Sequence, residues 1–184
     1  LFSVLNLYLI FLLSQRISGS NDEALIALIF SALSQTLFYY SRHLMPYDAA
    51  MSFGLLSLYV GLSNRSNART SFTCGALGVL CFLTYNGYWT LAGLAMIVRV
   101  FRSSKTFRDV IEKGFWLAVG FVLPILGLII LANRLGANLI SAYQSFAQTI
   151  TEGAYQEGWT LPFAYFWHSE HFLFVVLCLL AIIA

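Results

Sequence analysis

The chain has 184 residues, of which 59% are hydrophobic, 16% aromatic and only 10% charged, and its formal net charge is +2 at pH 7. Soluble domains carry about 25% charged residues, so this composition excludes an ordinary soluble domain. It predicts an all-α integral membrane protein, a polytopic bundle of transmembrane helices.

The two ends of the sequence both lie within apolar runs. Leu1 is not a start methionine, the chain opens inside the run Leu1–Leu13, and it stops inside Phe172–Ala184. The first run lacks a basic n-region and a cleavage site, so we interpret it as a truncated span and not as a signal peptide. We expect residues 1–184 to form a single transmembrane domain of a longer chain.

Ser20 and Glu23 have the spacing of a capping box, in which each side chain accepts a backbone amide hydrogen. This predicts a helix, and a second span, from near Asn21 to about Tyr40. A third apolar helix is predicted at Ala49–Leu62, followed by the basic connector Ser63–Arg69.

The apolar stretch Phe72–Val100 is too long for one upright span of about 20 residues and short for two. We predict two short helices that meet at Tyr85-Asn86-Gly87-Tyr88. Two crossings return the chain to the side on which it began, so the connector and the basic residues after Val98 share one side, as the positive-inside rule prefers.

This folding makes the distribution of basic residues strongly unequal. Only Arg42 and Arg134 then lie outside, while eight basic residues lie inside: Arg16, Arg65, Arg69, Arg99, Arg102, Lys105, Arg108 and Lys113. We therefore expect Arg42–Asp48, the Asn86 turn and the segment Asn133–His168 on the extracytoplasmic face.

Thr106 and Asp109 form another capping signal, ahead of the predicted span Gly114–Ala132. Pro124 lies within this span between two glycines, Gly120 and Gly127, which favours a bend with close helix packing or, alternatively, a cavity.

Apolar residues recur at helical spacing in Leu139–Ala154, with polar residues on the other faces. This predicts an amphipathic helix in the membrane interface. The total is about seven spans, of which the chain ends truncate two.

Arg, His and Asp occur together between two apolar runs only at Arg42–Asp48. Ionisable groups at the edge of hydrocarbon indicate function by default. Asp48 has a second interpretation, because an acid just after Pro46 also starts a helix. His168 and His171 could hold part of a metal site, but a hydrated interfacial cluster is the simpler interpretation. We predict no cofactor, and nothing in the pattern supports a divalent metal.

The three cysteines, Cys74, Cys81 and Cys178, all lie in apolar runs, so we interpret them as small buried side chains and not as disulfide or metal ligands.

Two segments together resemble a known family. The run Phe38–Met51 and the later Gly75–Tyr85 resemble the GT-C superfamily of membrane glycosyltransferases, over about Leu1–Arg102. The closest subgroup is the dolichyl-phosphate-mannose protein mannosyltransferase-like family, glycosyltransferase family 39. The Ser-Arg then Tyr-Asp pattern is also similar to the second external loop of oligosaccharyltransferase catalytic subunits.

The resemblance implies transfer of a sugar from a polyprenyl-phosphate donor to a lipid, glycan or protein acceptor, at the extracytoplasmic face of a plasma (inner) membrane, with no nucleic-acid partner. It makes Asp48 a catalytic acidic residue and places Arg42 near the carrier phosphate. The principal aspartate of such enzymes would precede Leu1. The expected substrate-binding residues are Arg42, His43, Tyr85, Asn86, Glu157 and Trp159. Asn86 departs from the family pattern, since many relatives carry a basic residue there.

Two other functions fit a membrane protein of this composition. A secondary transporter would show related halves and charges deep within its spans, and neither is visible. An envelope polysaccharide polymerase or ligase would use the same lipid-linked substrates.

Overall fold

The computed structural model describes residues 1–34, 37, 46–64, 67–102, 104–152 and 168. Within these residues the protein is all-helical, with seven α-helices, one 3₁₀ turn and no strand. The helices are α1 (Phe2–Ser18), α2 (Asn21–Leu33), α3 (Tyr47–Gly61), α4 (Ala68–Thr84), α5 (Trp89–Phe101), α6 (Phe107–Arg134) and α7 (Leu139–Glu152), and the 3₁₀ turn Asn86–Tyr88 joins α4 to α5.

The described residues divide into two compact units. One contains those of Leu1–Leu33 and Leu37–Ile125, and the other contains those of Ser34–Thr36 and Leu126–Ala184. The first unit holds helices α1 to α5 and most of α6.

Local capping chemistry fixes where several helices begin. The amide of Asp109 donates to the Thr106 hydroxyl at 3.2 Å, and the amide of Thr106 donates to the Asp109 carboxylate at 3.1 Å, which completes the predicted capping box. At α2 only half of the box forms, because Glu23 N donates to Ser20 Oγ at 3.4 Å while Ser20 N donates to Ser18 Oγ.

Helices α2 and α3 follow their predicted positions closely. Helix α2 begins at Asn21 as predicted, and its described part ends at Leu33. Helix α3 begins at Tyr47, two residues before the predicted start, with Pro46 at the N-cap and Asp48 in the first turn. The acid therefore lies where it meets the positive end of the helix dipole.

Small residues let the central helices of the first unit approach closely. Gly61 of α3 faces the carbonyl oxygen of Ala95 in α5, and the Ser57 hydroxyl of α3 donates to the Cys74 carbonyl of α4 at 2.8 Å. Cys74 and Cys81 are fully buried, as the sequence predicts. On the other side of α3, Leu55 and Leu62 pack with Leu9 and Leu13 of α1.

The stretch Phe72–Val100 folds as two helices, α4 and α5, as predicted. They form a hairpin in which the Arg99 side chain near the end of α5 reaches Ser71 at the start of α4. Helix α6 crosses α4 where Gly75 faces the backbone of Leu117 and Gly120 faces the backbone of Phe72. Gly120 thus allows the close helix packing that the glycines on either side of Pro124 predict.

Helix α6 is the one described helix that is long and apolar enough to cross a membrane, by length and composition. It runs through Pro124 without interruption over 28 residues. Three shorter apolar helices, α1, α4 and α5, span 13 to 17 residues. Helix α7 forms where the amphipathic helix is predicted.

Candidate functional site around Asp48

The Asp48 carboxylate is held by helix α1. The hydroxyl of Ser3 donates a hydrogen bond to Asp48 Oδ2. One turn further along α1, Asn6 Nδ2 donates to the main-chain oxygen of Asp48 at 3.0 Å. Helix α1 thereby fixes both the side chain and the backbone of Asp48. Ser3 precedes Asp48 by 45 residues in the chain, and Asn6 precedes it by 42.

Ser52 extends this network into the protein interior. Its hydroxyl lies 2.6 Å from Asn6 Oδ1 and 2.9 Å from the main-chain oxygen of Asp48. Asn6 and Ser52 are 4% and 1% exposed. Buried polar groups are costly unless they are hydrogen-bonded, so this pair locks the register between α1 and α3.

A cavity of about 140 Å³ opens beside the carboxylate. Its lining is polar around Asp48 and largely apolar elsewhere; the lining residues are Ser3, Asn6, Leu7, Ile10, Ser31, Ala32, Leu37 and Asp48. A water molecule occupies about 30 Å³ of liquid, so the cavity admits several waters or one small chemical group. Asp48 is thus a positioned carboxylate with space beside it.

The turn between α4 and α5 lies at the same end of the bundle. The Tyr85 ring contacts the Tyr47 ring edge to face, with centroids 4.6 Å apart and planes at 84°. Tyr47 directly precedes Asp48, so the structure brings two of the sequence-predicted segments together. The backbone of Asn86 follows in the 3₁₀ turn, and its side chain lies outside the described residues.

The other predicted site residues are Arg42, His43, Glu157 and Trp159, and they lie outside the described residues. No group of three or more His, Cys, Asp or Glu side chains that could hold a metal ion occurs in the part of the chain that the structure describes.

Basic side chains gather at the opposite end of α3. The Arg16 guanidinium lies 4.6 Å from the centroid of the Tyr59 ring and donates to the Tyr59 carbonyl at 3.0 Å. Arg99 donates to the carbonyl of Ser63 at 3.0 Å. Tyr59 is 11 residues beyond Asp48, which is roughly 16 Å along a helix. The carboxylate and the basic groups therefore lie at opposite ends of α3.

The sequence reasoning missed Ser3, Asn6 and Ser52. A signal for them was present, because Ser3 and Asn6 are polar residues one helical turn apart inside the apolar run Leu1–Leu13. Ser52 stands four residues after Asp48, which places both on one face of α3. Polar residues at such spacings within apolar runs mark the faces where two helices share hydrogen bonds.

No protein-family model, characterised protein or solved structure matches this chain. The function of the protein is therefore inferred from its own residues and from the motif resemblance around Arg42–Asp48.

Proposed function

We propose that the full-length protein transfers a glycosyl group from a polyprenyl-phosphate donor to an acceptor at the extracytoplasmic face of a membrane. One observation supports this most directly. The Asp48 carboxylate is fixed by Ser3 at the edge of a cavity, at the end of the helices away from the basic residues.

In the proposed reaction Asp48 is the second acidic residue of the site and serves as a general base together with the principal aspartate that the resemblance implies before Leu1. The acceptor hydroxyl or amine attacks the anomeric carbon of the sugar, its proton passes to the carboxylate, and the bond from that carbon to the carrier phosphate breaks. Asp48 Oδ2 already accepts the Ser3 hydrogen bond, so we assign the proton of the acceptor to Asp48 Oδ1. Arg42 stabilises the departing phosphate, because a guanidinium can donate two parallel hydrogen bonds to its oxygens.

The proposal includes a multi-pass arrangement in the membrane, with about seven spans. In it, α6 is a full span, the shorter apolar helices α1, α4 and α5 cross or partly cross the bilayer, and α7 lies in the outer interface. The lipid carrier would approach laterally, with its phosphate at the level of Arg42. The resemblance assigns contacts with the sugar or the acceptor to Tyr85, Asn86, Glu157 and Trp159.

The hydrogen bonds around Asp48 also fit a purely structural role at the start of α3. The two roles differ in what removal of the charge does. Asn has the size of Asp and accepts the Ser3 hydrogen bond, but it is no base and carries no charge for the helix dipole. Asp48→Asn therefore removes the catalytic property and keeps the structural hydrogen bond.

The experiment measures transfer of a labelled sugar from a polyprenyl-phosphate donor by the full-length protein, with thermal melting as the readout of folding. We expect Asp48→Asn and Arg42→Ala each to lower turnover about 100-fold or more at an unchanged melting temperature. Ser3→Ala is the matched control, since it removes a hydrogen bond to the carboxylate and leaves the charge, and we expect a much smaller loss. Normal transfer by folded Asp48→Asn would leave the residue a structural one and overturn its role as base.

A further inference from the structure

A second cavity, of about 160 Å³, lies between the start of α4 and the start of α6. Its lining is polar and carries charges of both signs; the lining residues are Asn67, Ala68, Ser71, Asp109, Glu112, Lys113 and Trp116. It is at the basic end of the first unit, away from the cavity beside Asp48. Nothing in the proposed glycosyl transfer uses it.

The positive charge of this cavity is built into the protein interior. Lys113 is only 4% exposed, and its ammonium donates to the Ser104 hydroxyl at 3.0 Å. The fully buried Arg99 lies behind Ser71, which lines the cavity, and its Nε donates to the Ser71 hydroxyl at 3.0 Å. The first turn of α4 adds the positive end of a helix dipole. Two cations beside one cavity raise the electrostatic potential within it, so an anionic group is favoured near Lys113 in addition to the Asp109 carboxylate.

The negative charge of the same cavity comes from two carboxylates on α6, the helix that also carries Lys113. Glu112 is exposed, and Asp109 accepts hydrogen bonds from the Lys105 and Thr106 amides. These carboxylates make a simple anion a poor ligand, since they would repel it. A ligand that carries one negative and one positive group can interact favourably with Lys113 and with a carboxylate at the same time.

The position of the cavity along α6 indicates where such a ligand comes from. Lys113 directly precedes the apolar segment Gly114–Ala132, and Trp116 lies one turn into it with 36% of its surface exposed. Aromatic rings with a polar edge favour the level of the lipid headgroups. If α6 crosses the membrane, the cavity opens into the headgroup layer.

We propose that this cavity binds the headgroup of a phospholipid with a phosphodiester and a primary ammonium, of the phosphatidylethanolamine type. The phosphodiester faces Lys113 and the first turn of α4, and the ammonium donates hydrogen bonds to Glu112. A phosphatidylcholine headgroup has the same charges but no N–H donor, and a phosphatidylglycerol headgroup has no cation. The hydrogen-bonding ammonium therefore decides the selectivity.

The test uses the full-length protein in detergent and measures bound lipid by native mass spectrometry at equal added concentrations of the three lipids. A charge-assisted hydrogen bond to the exposed Glu112 carboxylate predicts about threefold higher occupancy by phosphatidylethanolamine than by phosphatidylcholine. Glu112→Gln should abolish this preference. Glu23→Gln, which changes an exposed carboxylate on α2 outside the cavity, should leave it unchanged.

Thermal melting with soluble glycerophosphoethanolamine separates the two sources of the headgroup. We expect the lipid to raise the melting temperature and the soluble ester to have no effect at the same concentration, because acyl chains confine the lipid to the protein surface. Equal stabilisation by both would overturn the assignment to a lipid. Equal occupancy by all three lipids, or a preference that survives in a folded Glu112→Gln protein, would overturn the headgroup site itself.

Discussion

Arg99 and Ser71 tie the two helices of the α4–α5 hairpin together, with Arg99 Nε donating to Ser71 Oγ at 3.0 Å while both side chains are completely buried. The same guanidinium donates to the carbonyls of Ser63 at 3.0 Å and Asn67 at 3.3 Å. One side chain thereby joins the end of α5, the first turn of α4 and the connector before α4. A planar fork of five donors suits this arrangement, and a lysine ammonium does not.

Arg99→Ala should lower the free energy of unfolding by about 2–4 kcal/mol, because it removes a fully buried side chain and the donors to the buried Ser71 hydroxyl and to two partly buried carbonyl oxygens. Arg99→Lys should recover only part of the loss, since a point charge cannot reach all three acceptors. Arg102→Ala changes an exposed arginine three residues later and should change stability by less than about 0.5 kcal/mol. Denaturant unfolding in detergent measures all three. An equal loss of unfolding free energy for Arg102→Ala and Arg99→Ala would show that the Arg99 hydrogen bonds do not stabilise the α4–α5 hairpin.

Gly120 and Gly127 provide a matched pair on helix α6. A Cβ atom at Gly120 would clash with the Phe72 carbonyl on α4, whereas a Cβ at Gly127 would meet no heavy atom of the described residues within 4 Å. Gly120→Ala should therefore destabilise the protein by about 1–3 kcal/mol through forced backbone separation. Gly127→Ala should be neutral or stabilising, because alanine has the higher helix propensity. Melting temperatures that fall equally for both variants would contradict the close crossing of α4 and α6.

Asp109 precedes the apolar segment of α6, and hydrogen bonds from the Lys105 and Thr106 amides hold the pKa of its carboxyl below the usual range. A lowered folded-state pKa means that the ionised group stabilises the folded protein at pH values above the unfolded pKa of about 3.9. The contribution is lost as the pH falls through the folded value. Asp109→Ala should thus lower the melting temperature by the same amount at pH 7 and pH 5.5.

The difference between Asp109→Ala and the natural protein should then shrink as the pH falls from about 4, where the unfolded carboxyl takes up its proton, through the lower folded-state pKa. Thr106→Ala removes the hydroxyl that also helps to lower the pKa of Asp109, so its effect should depend on pH in the same sense but more weakly. A melting-temperature difference for Asp109→Ala that grows at acid pH would mean that the carboxyl stabilises the protein mainly when protonated. This is the opposite of what its lowered pKa predicts.

Helix positions were predictable where local chemistry decides them. The start of α2 at Asn21 and the capping box of Thr106 and Asp109 follow from spacings of three residues, which no distant contact has to supply. The division of Phe72–Val100 into two helices followed from charge balance and the Tyr85–Tyr88 break.

The contacts between helices were not predictable in this way. The charge pattern assigns Arg99 to one side of the chain but cannot tell that it is buried, because burial depends on acceptors that the connector before α4 provides. The Ser3–Asp48 hydrogen bond likewise needs the register between α1 and α3, and that register depends on how the two surfaces pack.

The last prediction concerns the sides of the membrane on which the ends of α6 lie. A helix of 28 residues rises about 42 Å, more than the roughly 30 Å of the hydrocarbon layer, so Lys105 and Ala137 should lie on opposite sides. Asn64 should share the side of Lys105, because Arg99 holds the connector beside the end of α5. The charge bias of the chain predicts that this side is cytoplasmic.

Single cysteines at Asn64, Lys105 and Ala137, in a full-length protein whose natural cysteines are replaced by alanine, can be labelled in intact cells with a membrane-impermeant maleimide. All three positions are exposed and outside the helices, so reactivity reports access and not burial. We expect Ala137→Cys to react from outside and the other two to react only after permeabilisation. Labelling of Lys105→Cys and Ala137→Cys from the same side would show that α6 does not cross the bilayer. The second cavity would then not be assigned to the level of the lipid headgroups, and Asp48 would not be assigned to the outer face.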